Sequence, residues 1–443
     1  MHNSEKKLLF IVLPDNINNI KDNISFPYGV LSIASYLKKY ANDLVNIKIF
    51  DCNLYSTYIS ELFDELSLYQ PDIIGISMIY EHSNKYLNSI LITIKSANDQ
   101  SIVLLGGVAA MCSYREILDI YADIDAICYG EGELPLLDYI RDLNFLSCCW
   151  ITKESIKLNK TPYKHQIENL DNVVNIDYNL IDVTKYNIYY PIANKLDNIK
   201  NKKIMPIITS RGCPFKCVFC CGYSTNVLDH KIRYASIESV ISHIKNLVDK
   251  YGINTISILD DQLLFNKKRA KELFKKLIPF KLNIICPNGI SPSYIDEELV
   301  ILMKDAGMKV IYLAFESGSS FVLKNLMHKP NTINLSIKAI NMLKKYGFKI
   351  VGYFVMGLPG ETDKHREETL NFIKENSLDH IRLNIAFPFK GSKLYQDCLK
   401  NNYKIETNYN DYNLFKCCVT TQQYKAEYIT KQIQEMNKEV NNA

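Results

Sequence analysis

The stretch Arg211-Gly212-Cys213-Pro214-Phe215-Lys216-Cys217-Val218-Phe219-Cys220 sets three cysteines four and then three positions apart. An apolar run at 204–209 precedes it and reads as a buried strand, so the cysteines occupy a loop at a strand's carboxyl end. Three thiolates on one short loop can hold three corners of a cubane iron–sulfur cluster, whereas the usual protein site supplies four. The fourth iron then keeps an open coordination position, the feature that separates catalytic from structural metal sites. Cys213, Cys217 and Cys220 are therefore the expected ligands of a [4Fe-4S] cluster. Cys221 is read as a bystander, because neighbouring residues rarely aim at one metal. The competing readings are a zinc knuckle short of its fourth ligand, or chance clustering among thirteen cysteines.

Composition bounds what surrounds this loop. At 443 residues there is room for two or three domains, and 47% hydrophobic with 23% charged residues is ordinary for a globular chain. A net charge of +4 without an arginine-rich arm argues against a nucleic-acid footprint. The apolar run 8–14 is too short for a signal or membrane segment. Many cysteines without a secretion signal point to a reducing cytoplasmic compartment and to metal chemistry rather than disulfides.

Working outward, residues 1–145 alternate strand runs (8–14, 45–51, 72–78, 101–107, 124–130) with helical periodicity (27–40, 57–69, 83–96, 114–121). This predicts an α/β domain with a doubly wound parallel sheet, whose ligands bind beyond the carboxyl ends of the strands. Residues 146–203 read as a connector. A second alternation follows, with strands at 204–211, 255–260, 283–288, 309–316, 349–356 and 380–387. Six strand–helix units over 204–395 predict a partial (β/α)6 TIM-like barrel with its chemistry at the same strand ends. Residues 396–443 read as a short polar tail.

The cysteine spacing, with an aromatic residue just before the last cysteine, resembles the radical S-adenosylmethionine (SAM) superfamily. The resemblance implies that the open iron chelates the amino and carboxylate groups of SAM and that Phe219 lies near the adenine. Asp260 and Asp261 stand where relatives carry a polar or acidic motif near the SAM amino group; the alternative is an acid pair at a helix N-terminus. Glu316 and Ser317 resemble a Glu-Ser segment that reaches ribose or methionine polar groups. An acid closing an apolar strand needs a partner. In the run 351–362, Gly352 and Gly357 would let backbone approach the adenine. Ile385 would flank it, with a core role as the alternative.

The first domain resembles the cobalamin-binding domain that precedes one branch of these enzymes, through residues 27–29, 72–77, 105–107 and 130–133. The resemblance implies cobalamin contacts from Ser77, Gly106, Gly107, Gly130, Glu131 and Gly132. No histidine stands at 14–18, where a lower cobalt ligand would lie, and His82 reads as a surface residue. The whole pattern implies a cobalamin-dependent radical SAM enzyme fed by a flavodoxin- or ferredoxin-type electron donor. It would methylate an unactivated carbon of a small-molecule or peptide substrate, using a 5′-deoxyadenosyl radical and methylcobalamin. Alternatives are a cyclisation, oxidation or rearrangement without methyl transfer, and a non-catalytic cobalamin sensor. A methylthiotransferase would carry a further cysteine where Pro14 stands.

Overall fold

Leu8, Leu9 and Ile11 have no solvent exposure because they lie on an interior strand of a sheet covered on both faces. The computed structural model describes residues 5–15, 24–142, 144–145, 149–160, 166–188, 190–197, 203–220, 231–406 and 415–442. They form two compact units that meet in sequence at Tyr189 and Tyr190.

The first unit contains β1 (Lys6–Val12), β2 (Val45–Asp51), β3 (Ile73–Ser77), β4 (Ile102–Gly106), β5 (Ala126–Cys128) and β6 (Trp150–Ile151), in the order β2-β1-β3-β4-β5-β6. The first five are parallel, as the alternating pattern predicts, and helices such as Tyr28–Tyr40, Tyr58–Tyr69 and Asn84–Ala97 make the crossovers. Strand order reverses around β1, which makes the ends of β1 and β3 the switch point where such sheets take ligands. The antiparallel edge strand β6 was not predicted; it comes from the segment read as a connector. Two residues are too few to show a period, and Trp150 is held instead by its indole N–H donating to Pro135 O at 3.3 Å.

The second unit opens with β7 (Ile204–Ile207). A small antiparallel ribbon of β8 (Ser210–Arg211) and β9 (Arg233–Tyr234) follows. Then come β10 (Thr255–Ile258), β11 (Asn283–Ile285), β12 (Val310–Glu316), β13 (Lys349–Met356) and β14 (His380–Ile385). Parallel sheets β11-β10-β7 and β12-β13-β14 are stitched together where Ile290 bridges Leu313. Six parallel strands with outer helices make the expected partial barrel. Ala193 of helix Pro191–Asp197 packs with Ile285, Val310, Tyr312 and Val351 on the inner face, so the amino-terminal half of the barrel is filled.

The polar-tail reading is corrected by the helix Ala426–Asn442, which packs on β14 and on helix Asp363–Asn376. Its buried Ile429 and Ile433, four apart, form an apolar stripe that the surrounding polar residues hide in a composition count. Among the described residues no helix is long and apolar enough to cross a membrane.

Candidate functional site

Glycine is required where the cysteine loop leaves β8. Gly212 has φ 105°, and a Cβ there would lie 2.3 Å from Lys231 O. Asp260, just past β10, anchors the strand end behind it. Its Oδ1 accepts from Thr209 N at 2.6 Å, and its Oδ2 accepts from the Thr209 and Ser210 hydroxyls, both at 2.6 Å. Burial raises the Asp260 pKa, and the bonds from Ser210 and Thr209 oppose that rise. Arg269 adds donations to Thr209 O (3.1 Å) and Ala235 O (2.9 Å). Asp261 accepts from Gly212 N at 3.1 Å and is otherwise exposed. Both acids therefore hold the base of the loop, a role the sequence reading did not assign them. The far end is pinned by Val218, whose N–H donates to Met327 O (3.1 Å) and whose carbonyl accepts from Leu394 N (2.9 Å).

Between these anchors Cys217 is buried, while Cys213 and Cys220 are half-buried and Phe219 is partly exposed. Burial pushes the Cys213 thiol up to about 11 and the Cys217 thiol up to about 12. The neighbouring sulfurs add to both rises, and Lys329 works against them. Among the described residues no trio of Cys, His, Asp or Glu converges to hold a single metal ion. A cubane cluster does not ask for that, since each thiolate binds a different iron.

Glu316 closes β12 and has the partner that its burial demands. Lys329 Nζ lies 2.8 Å from its Oε1, with the two side chains only 8% and 10% exposed. Sequence reasoning missed Lys329: it lies in a loop with no periodicity, and nothing near it marks the pair.

The other SAM-binding candidates are engaged within the protein. Ser317 Oγ accepts from Ser319 N and shares a hydrogen bond with Thr369 Oγ1, each at 3.0 Å. Where Gly352 would carry a Cβ stand Leu378, Phe354 and Phe315, so it faces the helix layer. Gly357 N donates to Glu361 Oε2, its carbonyl accepts from Tyr424 OH at 3.2 Å, and Ile385 and Ile429 crowd its α-carbon. Several buried oxygens of the second unit are left over. Ser291 Oγ, Ser319 Oγ and Asn384 Oδ1, after or on β11, β12 and β14, are buried without a hydrogen-bond partner. Each such orphan costs about 1–3 kcal/mol unless something polar fills the space.

In the first unit, Ser77 lines a cavity of about 380 Å³ beyond β1, β2 and β3, together with Leu13, Asn53, Tyr80 and Tyr86. Gly106, at the end of the neighbouring β4, would place a Cβ in open space. Gly107 is different: its φ is 105° and a Cβ would lie 2.3 Å from Met78 O. Gly130 N donates to Met111 Sδ, Glu131 Oε2 accepts from Ile167 N at 2.6 Å, and Gly132 makes room for Ile33. These three serve the fold locally. His82 is corrected from surface to interior: it is 4% exposed, stacks on Tyr80 and lies 3.4 Å from Asp15 Oδ1.

The residues present suit the groups that the sequence pattern implies. A three-sulfur loop beside a buried cation suits an anionic cluster, orphaned oxygens at the barrel's strand ends suit a polar ligand such as SAM, and an open switch-point cavity suits part of a large cofactor. Comparison with known proteins gives the same result. Residues 207–373 match the radical SAM superfamily and residues 22–140 match the B12 binding domain. The chain therefore carries a radical SAM domain. More particularly, it fuses that domain to a B12-binding domain, as cobalamin-dependent radical SAM enzymes do, and its cofactors are a [4Fe-4S] cluster, SAM and cobalamin.

It is similar to an uncharacterized methyltransferase of Pyrococcus horikoshii, 28% identical and spanning 96% of this chain and 90% of that one. A cytidylyl-2-hydroxyethylphosphonate methyltransferase of Streptomyces wedmorensis is 24% identical over 86% of this chain and 79% of its own length. An anaerobic magnesium-protoporphyrin IX monomethyl ester cyclase of Rubrivivax gelatinosus is 26% identical over 84% of this chain and 66% of its own. The fold is shared with the radical SAM methyltransferase TsrM of Kitasatospora setae at a TM-score of 0.69, with 14% identity, over 89% of this chain and 76% of TsrM.

Proposed function

We propose that the protein methylates an unactivated carbon of a small-molecule or peptide substrate. What carries this reading is the likeness, over nearly the full length of both chains, to a protein named as a methyltransferase. When bound, the cluster and SAM supply a 5′-deoxyadenosyl radical and cobalamin supplies the methyl group.

The chain's own part is to hold and orient. Cys213, Cys217 and Cys220 ligate the cluster on a loop whose base is fixed by Asp260, Asp261 and Arg269. Ser291, Ser319 and Asn384 satisfy their orphaned oxygens on SAM or substrate. Phe219 lies against the adenine. Ser77 donates to cobalamin, and Gly106 leaves it room. A flavodoxin- or ferredoxin-type protein supplies the electron. The cobalamin domain corresponds to 1–145 and the barrel to 204–395. A second reading, ring closure without methyl transfer, is supported by the likeness to the cyclase.

The test is anaerobic incubation with reductant and SAM. Wild type should release 5′-deoxyadenosine and each single Cys→Ala variant of the triad should not; a variant with wild-type yield would refute the ligand assignment.

A further inference from the structure

Glu316 sits in the left-handed region at φ 68°, a conformation uncommon outside glycine. It reaches it through a bulge, since the register of β12 against β13 shifts between Ala314 and Glu316. Two more irregularities follow along the chain: a π-helical turn at Val322–Leu326 and a left-handed His328 at φ 53°. Bulges re-aim side chains, and π-turns and strained residues gather at functional sites because only an enforcing structure sustains them.

These irregularities serve one contact, the buried Lys329–Glu316 pair. The lysine backbone is fixed on both sides: its N–H donates to Leu323 O and its carbonyl accepts from Asn331 N, each at 2.9 Å. The same turn receives the bond from Val218 N of the cysteine loop at Met327 O. Lys329 is therefore within electrostatic reach of Cys213, Cys217 and Cys220. Burial works against its ammonium, and the Glu316 carboxylate 2.8 Å away opposes that effect.

A buried ion pair is a poor device for stability alone, since apolar residues of similar volume often do as well or better. Burying the ion brings more if a second anion shares the cation. A cluster on three thiolates is such an anion, and it becomes more negative by one charge on reduction. We propose that Lys329 is a positioning residue for the cluster: its ammonium, aimed by Glu316, favours the one-electron reduced state and raises the potential at which the cluster accepts an electron. This rests on the reading that the three cysteines hold the cluster.

The experiment is an EPR-monitored redox titration, with dithionite as reductant, of the full chain reconstituted anaerobically without SAM. Glu316→Gln removes a negative charge and should raise the midpoint potential above wild type. Adding Lys329→Met to that variant should lower it again, by at least a tenfold fall in the reduced-to-oxidised ratio at fixed potential, which is 59 mV for one electron. Lys329→Arg in the same background should stay near Glu316→Gln, the rescue expected of charge rather than shape. Equal potentials in Glu316→Gln with and without Lys329→Met would overturn the proposal. So would Glu316→Gln lying at or below wild type, the outcome of a purely structural pair. Failure of the underlying reading looks different: the triple Cys→Ala chain would retain as much iron and sulfide as wild type.

Discussion

Asp260 and Glu361 are buried carboxylates with different consequences. Asp260 satisfies three donors on Thr209 and Ser210, so Asp260→Ala strands them in the interior. Unfolding free energy should fall by about 3 kcal/mol or more, against about 1 kcal/mol for Asp261→Ala, whose side chain is exposed to water; chemical denaturation of both variants reads the difference. Glu361 is pushed by burial up to about 7 from its ordinary 4.5, with the Gly357 amide and Arg366 opposing. The native state thus binds more protons than the unfolded chain between those values. The contribution of Glu361 is full below about pH 4.5 and is lost as pH rises through about 7, on the order of 3 kcal/mol at most. Glu361→Gln should flatten that slope, so the stability of wild type relative to the variant should decline between pH 5 and pH 8. The cysteine triad was legible because its chemistry is written in ten consecutive residues. Lys329 was not, because its meaning depends on a bulge and a turn that fold it back onto a strand end thirteen residues earlier.

Among elements, the strand ends of the first unit offer a paired comparison. Gly107→Ala drives a Cβ into Met78 O in a backbone region that alanine resists, and should destabilise the unit by several kcal/mol, roughly 2–4. Gly106→Ala meets nothing within 4 Å, so thermal stability should stay near wild type. Cobalamin affinity should instead weaken, by about tenfold if the corrin or its tail fills that space; equilibrium binding of hydroxocobalamin checks it. The helix Ala426–Asn442 depends on its apolar stripe, and Ile429→Ala should cost about 2–4 kcal/mol, read by urea denaturation. Parallel strands were easy to read because burial on both faces makes them continuous apolar runs bounded by turns. The edge strand β6, the barrel-filling helix Pro191–Asp197 and the terminal helix were missed because each is short or mostly polar and owes its conformation to what it packs against.

Across the molecule, two α/β units carry two cofactor chemistries, and both architectures followed from periodicity alone. The sites within them were legible only in part. The triad, Ser77 and Gly106 match the pattern and lie where a ligand has room, in a loop between anchored ends, on a cavity wall and beside open space. Gly352, Gly357 and Ser317 match the same pattern yet are committed to core packing or internal hydrogen bonds. A motif in sequence does not separate the backbone that frames a ligand from the groups that touch it. The central claim is that one chain joins SAM cleavage to cobalamin-borne methyl transfer. Its most direct test is mass spectrometry on the anaerobically reduced, cobalamin- and iron–sulfur-loaded chain incubated with SAM carrying a CD3 methyl group. The account predicts 5′-deoxyadenosine together with cobalamin that has gained the CD3 group, whereas 5′-deoxyadenosine with unlabelled cobalamin would contradict it.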